Sequence, residues 1–250
     1  MLAVFDRYVA QAPPELNAPG TDSPDCRKKG VDLVDAFKTS YPKCVTVHPK
    51  DACAIGYSHE RQALLRPRSF AVVDEIFCVF EGMLENLPAL RQQYGLLKTV
   101  SEVILVIEAY RVLRDRAPFR AHQVLRDLRG QFAFVLFDAK TSNILVSLDC
   151  QGKVPLFWGT TSDGSLSFSD DPQLLKAGCG KSFAPFPQGF FFSSAEGLQS
   201  FEHPLNEVKA MPRVDSQGQM CGATFKVDPE KKVSSRSNSG NKTSWAAAAF

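Results

Sequence analysis

Residues 130–170 carry the clearest structural signal in the chain, because four short apolar segments follow one another between turn residues. The segments read GQFAFVLFD (130–138), NILVSLD (143–149), KVPLFWGTT (153–161) and SLSFSD (165–170). Runs of this length that are rich in β-branched and aromatic residues, and that are bounded by turn residues, are typical of antiparallel strands. We therefore predict an antiparallel meander of four strands.

The first of these segments is apolar on both of its faces. One alternating set contains Phe132, Phe134 and Leu136, and the other contains Ala133, Val135 and Phe137. A strand with two apolar faces must be covered on both sides by a second sheet or by helices. The segment 103–113 reads as a nearly all-round apolar helix, which we expect to pack on a sheet. Together these patterns predict a layered sandwich with the meander at its centre.

Composition limits the classes of function that are open to the chain. It has 250 residues, of which 44% are hydrophobic, and a net charge of only +2. No cluster of Lys and Arg suggests a nucleic-acid partner, and no window approaches the roughly 18 apolar residues of a membrane span. The N-terminus does not have the form of a signal peptide. We expect a soluble, intracellular protein of the cytoplasm, with the nucleus left open as a second location.

Seven cysteines show no Cys-x-x-Cys spacing, and four histidines show no spacing typical of metal ligands. We expect free thiols in a reducing compartment, no metal and no cofactor. The last apolar strand is predicted at 221–227, and Lys, Ser, Asn and Arg dominate the sequence after it. The expected organisation is therefore one domain over residues 1–227 and a flexible tail over 228–250.

The meander also carries a family resemblance. Gly130-Gln-Phe-Ala-Phe-Val-Leu-Phe-Asp138, followed by Asp149, Gly152, Pro155 and Leu156, resembles the glutaminase domain of class II glutamine amidotransferases. The resemblance covers roughly residues 1–227. It implies an α+β fold of the Ntn-hydrolase type, which is a four-layer αββα sandwich of two antiparallel sheets.

A closer resemblance within that superfamily is to the plant aluminium-induced proteins, which are named for their YGL and LRDR motifs. These motifs are similar to Tyr94-Gly95-Leu96 and to Leu113-Arg114-Asp115-Arg116. The simplest interpretation of both motifs is a structural one. Gly95 would stop a helix, and the charged run would be a solvated helix end.

The resemblance also implies what catalysis would need. In active members an N-terminal Cys, exposed by removal of Met, attacks the glutamine amide with its own α-amino group as the base. Here Leu2 stands at that position. The family's Asn-Gly oxyanion hole aligns with Glu81 and Gly82, and a carboxylate cannot donate a hydrogen bond to an oxyanion. The sequence therefore predicts no catalytic residue.

Two further positions complete the expected pocket. The family's Asp that binds the substrate amine is replaced by Val100, while Arg61, or Arg68 as the fallback, corresponds to the Arg that binds the substrate carboxylate. We expect a vestigial pocket formed by Leu2, Arg61, Glu81, Gly82 and Val100.

The resulting interpretation is a catalytically inactive, stress-associated plant protein that acts by binding a small-molecule ligand or a protein partner. Two alternatives stay open at this point. One is an amidohydrolase or glutamine amidotransferase that uses relocated catalytic residues, and the other is a structural homodimer with an unused pocket.

Overall fold

The computed structural model describes residues 1–17, 27–51, 53–60, 62–115, 121–214, 218 and 220–233. Two six-stranded antiparallel sheets lie face to face, and helices cover their outer faces. A separate two-stranded hairpin follows near the C-terminus.

The first sheet has the strand order β10-β8-β9-β1-β3-β2. In chain order its strands are β1 (Leu2–Phe5), β2 (Val45–Val47), β3 (Cys53–Tyr57), β8 (Phe157–Thr160), β9 (Leu166–Ser169) and β10 (Phe183–Pro185). The N-terminal strand is therefore central, since it pairs with β9 on one side and with β3 on the other.

The second sheet has the strand order β12-β11-β7-β6-β5-β4. Its strands are β4 (Arg68–Val73), β5 (Ile76–Leu84), β6 (Gly130–Asp138), β7 (Asn143–Leu148), β11 (Phe190–Ser193) and β12 (Gly197–Ser200). The doubly apolar strand β6 is central here, as its two faces require.

Five α-helices and a 3-10 turn at Pro14–Leu16 complete the fold, together with the hairpin of β13 (Asn206–Val214) and β14 (Met220–Lys232). The helices are α1 (Gly30–Ser40), α2 (Leu87–Gln93), α3 (Glu102–Asp115), α4 (Ala121–Asp127) and α5 (Pro172–Cys179). None of the described helices is long and apolar enough to cross a membrane.

Three apolar clusters hold the layers together. The central cluster lies between the sheets and contains Ala133, Val135 and Phe137. A second cluster joins the opposite face of β6 to α2, α3 and α4, and a third joins the first sheet to α1 and α5. Three apolar interfaces define four layers, so the predicted αββα sandwich and the packing of the 103–113 helix are confirmed.

The prediction of a single four-stranded meander is wrong, because its strands divide between the two sheets. β6 and β7 pair in the second sheet, whereas β8 and β9 pair in the first. The chain changes sheets after Asp149, whose carboxylate accepts the backbone N–H groups of Phe132, Gln151 and Gly152 at 3.1, 2.7 and 2.9 Å. This carboxylate turns the chain away from β6, a redirection that strand patterning cannot show.

The C-terminal hairpin differs from expectation in two ways. The sequence did not predict β13, and β14 continues past Val227 to Lys232, because Asn206 at the start of β13 pairs with Lys232. Residues 234–250, which form most of the expected tail, lie outside the described residues. Of the cysteines, six are described as free thiols, and four of these are buried, namely Cys53, Cys78, Cys179 and Cys221.

Candidate functional site

The N-terminal strand places Leu2 away from the space between the sheets. Alternate residues of β1 face opposite ways, so Ala3 and Phe5 join the central cluster while Leu2 and Val4 face α1 and α5. The Leu2 side chain is 2% exposed, and it belongs to the cluster that contains Leu33 and Phe37. The position that carries the nucleophile in the resembling family is thus filled by a packed apolar side chain.

A buried ion pair lies next to this strand, at the edge of the second sheet. Arg68 begins β4 and stands opposite Glu81 of β5 in the antiparallel register. Its Nε and Nη2 atoms donate to Glu81 Oε2 at 3.0 and 2.7 Å, and its Nη1 donates to the carbonyl oxygen of Ser58 at 2.6 Å. The side chains of Arg68 and Glu81 are only 3% and 5% exposed. Their charges therefore compensate each other in an environment that water hardly reaches.

Asp170 connects this pair to the first sheet. One of its carboxylate oxygens accepts from Arg68 Nη2 at 2.5 Å, and the other accepts from the α-ammonium of Met1. Burial lowers the pKa of that amine below its ordinary value, although the charge of Asp170 opposes the shift. The four charged groups form one network that joins the starts of β1 and β4 and the end of β9 to the interior of β5.

Two consecutive aspartates at the start of α5 have different roles. Asp171 caps the helix, since its carboxylate accepts from the backbone N–H groups of Gln173 and Leu174. Asp170 is then free to face Arg68. An Asp directly before a Pro is typical of a helix start, whereas nothing in the sequence indicates the ion pair made by Asp170.

The backbone N–H of Gly82 also has a hydrogen-bond partner. Its N–H donates to the carbonyl oxygen of Pro67 at 3.0 Å. Gly82 has a φ of +121°, and a Cβ atom there would lie 2.0 Å from the carbonyl oxygen of Gln131. Glycine is required because β6 approaches so closely. Neither Glu81 nor Gly82 therefore presents a free donor at the place where the resembling family builds its oxyanion hole.

The remaining expected pocket residues are not assembled around Leu2. Val100 packs against the outer cluster of the second sheet, and its carbonyl oxygen accepts from Arg91 Nε at 2.7 Å. The Leu2 side chain lies on the outer face of the other sheet. Arg61 lies outside the described residues, and the fallback residue, Arg68, is the one that pairs with Glu81.

The first name-giving motif ends helix α2. Gly95 has a φ of +66° with open space around its Cα, and the N–H of Leu96 donates to the carbonyl oxygen of Arg91 at 2.7 Å. Tyr94 and Leu96 pack against the outer cluster of the second sheet. This motif is a helix stop, as the sequence predicted.

The second motif is more than a solvated helix end, and that prediction is wrong for Arg114. Its Nη1 donates at 3.2 Å to Asp138 Oδ2, and the Tyr110 hydroxyl donates to the same oxygen at 3.2 Å. Asp138 is fully buried at the end of β6. Asp115, with 57% of its side chain exposed, does lie in solvent. Arg116 is outside the described residues.

Metal ligation finds no support in the geometry. Across the described ranges, no three His, Cys, Asp or Glu side chains are grouped closely enough to hold a metal ion.

Comparison with solved structures identifies the fold. The chain superposes on the glutamine phosphoribosylpyrophosphate amidotransferase from B. subtilis with a TM-score of 0.50 and 15% sequence identity, over 82% of this chain and 50% of that one. The match shows that this chain shares the fold of the matched part of that enzyme. Asparagine synthetase B [glutamine-hydrolyzing] of Escherichia coli (strain K12) is 26% identical over 193 residues, which cover 73% of this chain and 33% of the synthetase. The chain thus corresponds to about a third of that relative and half of the solved amidotransferase.

Family membership follows from residues 2–227, which match the profile described as Aluminium induced protein. The chain belongs to this family. The stem-specific protein TSJT1 of Nicotiana tabacum is 38% identical over 149 residues, which cover 59% of this chain and 99% of that protein.

Proposed function

We propose that this protein is a catalytically inactive glutamine amidotransferase-like protein that acts in the plant stress response by binding a ligand or a partner. The observation that supports this proposal most strongly is the buried ion pair of Arg68 and Glu81. The stress association rests on the description of the family alone.

Glutamine hydrolysis needs a nucleophile with a base and donors for the oxyanion. Leu2 offers neither a thiol nor a hydroxyl group. Glu81 presents an acceptor where a donor is required, and loss of a single oxyanion donor already costs roughly 10²–10³ in rate. The N–H of Gly82 is engaged by Pro67. These features support the absence of hydrolysis by the family's mechanism.

Substrate binding meets a second obstacle. An arginine that binds a substrate carboxylate must have its guanidinium available, but Arg68 already contacts Glu81, Asp170 and Ser58. Displacing these partners would leave buried carboxylates without compensation, which is strongly unfavourable. We infer that the former substrate site is filled by the protein's own charges.

The test is glutamate release from glutamine by the purified wild-type chain, by Leu2→Cys, and by the double variant Leu2→Cys, Glu81→Asn. Asparagine synthetase B of Escherichia coli serves as the positive control. We expect no turnover by the wild type or by Leu2→Cys, with removal of Met1 confirmed by mass. Glutamate release by the wild type would overturn the proposal and favour relocated catalytic residues. Release by Leu2→Cys alone would show that Glu81 does not obstruct catalysis.

A further inference from the structure

A cavity of about 440 Å³ opens at one end of the second sheet, beside helix α4. Its apolar surface is formed by Leu128, Phe132 and Phe201, which belong to the outer cluster of this sheet. The cavity is thus on the opposite face of the sheet from Arg68 and Glu81. Its volume falls within the roughly 300–1,000 Å³ of small-molecule sites, and an apolar surface with a few polar groups is typical of them.

Two guanidinium groups at the rim are available to a ligand. Arg126 lies in the last turn of α4, and Arg129 follows that helix just before β6. Both are exposed residues that line the cavity. Within the described part of the chain, neither side chain forms an ion pair with a carboxylate. Their planar donor groups suit a carboxylate.

Two carboxylates, Glu85 and Glu202, line the same cavity. Glu202 rests on Gly189, where a Cβ atom would come 2.6 Å from Glu202 Oε2. Partial desolvation of the Cys150 sulfur, together with its hydrogen bond to Glu202, raises the pKa of the thiol to about 12. The Glu202 carboxylate thus lies beside a protonated thiol, and it keeps lone pairs for further donors.

Asp149 also lines the cavity, but both of its oxygens are already used. It accepts three backbone N–H groups, from Phe132, Gln151 and Gly152. The charges available to a ligand are therefore the two arginines and the two glutamates.

We propose that this cavity binds a small zwitterion with an apolar body, which is the chemistry of an apolar α-amino acid. The carboxylate would bind Arg126 and Arg129, the ammonium group would bind Glu202 and Glu85, and the apolar body would cover Phe132 and Phe201. A simple organic anion leaves the glutamates unpaired, and a simple amine leaves the arginines unpaired. The site thus discriminates against both kinds of ligand.

The inference extends the ligand-binding part of the proposed function and rests on it. The glutamate-release assay tests the other part, so the two can fail separately.

The first experiment compares three probes with the same ring, by isothermal titration calorimetry on the full chain. Phenylalanine carries both charges, 3-phenylpropionate lacks the ammonium group, and phenethylamine lacks the carboxylate. We expect phenylalanine to bind and each analogue to bind at least about tenfold more weakly, because each loses a charge-assisted contact. Equal affinity of phenylalanine and either analogue would overturn the proposal, as would no binding of phenylalanine.

The second experiment locates the site with substitutions on the exposed rim. Arg126→Gln combined with Arg129→Gln, and separately Glu202→Gln, should each weaken phenylalanine binding by about tenfold or more. Lys209→Gln, at an exposed position of β13, is the matched control and should leave the affinity unchanged. Circular dichroism verifies that each variant is folded. Unchanged affinity in the folded rim variants would place the binding elsewhere and overturn the assignment.

Discussion

Glu81 determines the chemistry of its surroundings because its carboxylate is buried. A buried carboxylate must have a partner, and Arg68 provides two of its five donor positions for that purpose. Two further donors of Arg68 bind Ser58 and Asp170. The carboxylate at position 81 therefore also commits the guanidinium of Arg68.

The first prediction tests this coupling. Arg68→Met removes the compensating charge and leaves Glu81 buried alone, so we expect the free energy of unfolding to fall by about 3–5 kcal/mol. Urea unfolding followed by circular dichroism measures the loss. The double variant Arg68→Met, Glu81→Leu buries no unpaired carboxylate at position 81, and it should recover most of the lost stability. If both variants are as stable as the wild type, the pair is not the constraint that its geometry indicates.

A second prediction concerns Gly82. Gly82→Ala combines a positive φ with a close backbone approach, so it should destabilise the fold by about 3 kcal/mol or more. The matched control is Gly197→Ala, since Gly197 also has a positive φ but no neighbour within 4 Å of the methyl carbon that the substitution would add. That variant should lose only about 1–2 kcal/mol. Equal losses in urea unfolding would show that the approach of β6 is not tight.

At the scale of elements, side-chain hydrogen bonds hold the C-terminal end of α3 against the end of β6. Burial on its own would raise the pKa of Asp138. Hydrogen bonds from the Thr141 hydroxyl, from Arg114 and from the backbone N–H groups of Thr141 and Lys140 outweigh that effect, so the pKa of Asp138 is lowered. Asp138 is therefore more acidic in the folded chain than in the unfolded chain, and its interactions stabilise the fold near neutral pH.

The third prediction follows from the sign of that shift. Stability from a carboxylate with a lowered pKa is present above the unfolded pKa of about 3.9 and is lost as the pH falls through the folded pKa. Arg114→Gln removes one cause of the lowering, so the acid-induced loss of stability should begin at a higher pH than in the wild type. The measurement is the urea midpoint as a function of pH from neutral to acid.

Asp115→Asn provides the control within the same motif. Asp115 is largely exposed, so its contact with Arg114 is screened by solvent and should contribute little to stability. The stability of the Asp115→Asn variant should fall over the same acid pH range as that of the wild type. An Arg114→Gln curve that also coincides with the wild type would contradict a structural role for the buried contact.

At the scale of the whole molecule, the terminal hairpin extends the structured part of the chain beyond residue 227. Asn206 Nδ2 donates to the carbonyl oxygen of Asp228 at 2.9 Å, and the N–H of Val233 donates to the carbonyl oxygen of Leu205 at 2.8 Å. These bonds hold the last residues of β14 against the start of β13.

The fourth prediction therefore compares two truncations. A chain ending at residue 233 should unfold at the temperature of the full chain, whereas a chain ending at residue 227 should unfold at a lower temperature, because the start of β13 loses its partner. Thermal unfolding by circular dichroism decides between them. Equal melting temperatures of the two truncations would place the C-terminal boundary of the folded domain at residue 227, as the sequence indicated.

Prediction from sequence succeeded where the information is local. The division of β6 into two apolar faces and the helix stop at Gly95 each depend on residues within a few positions of one another. The partition of β6 to β9 between two sheets was missed, because hairpin patterns are the same whether or not consecutive hairpins share a sheet. The role of Arg114 was missed because its partner, Asp138, is 24 positions away.

The sequence by itself determined the layered α+β architecture, since alternating and helical apolar patterns require definite faces to be buried. It also determined that Leu2 and Glu81 cannot supply a nucleophile and an oxyanion donor, because that follows from side-chain chemistry alone. Only the tertiary structure decided that Arg68 pairs with Glu81 and Asp170, 13 and 102 positions away. The same holds for the cavity beside α4. Such contacts form where strands from distant segments meet, and they are held in place because a buried charge without its partner would be strongly unfavourable, which no local pattern records.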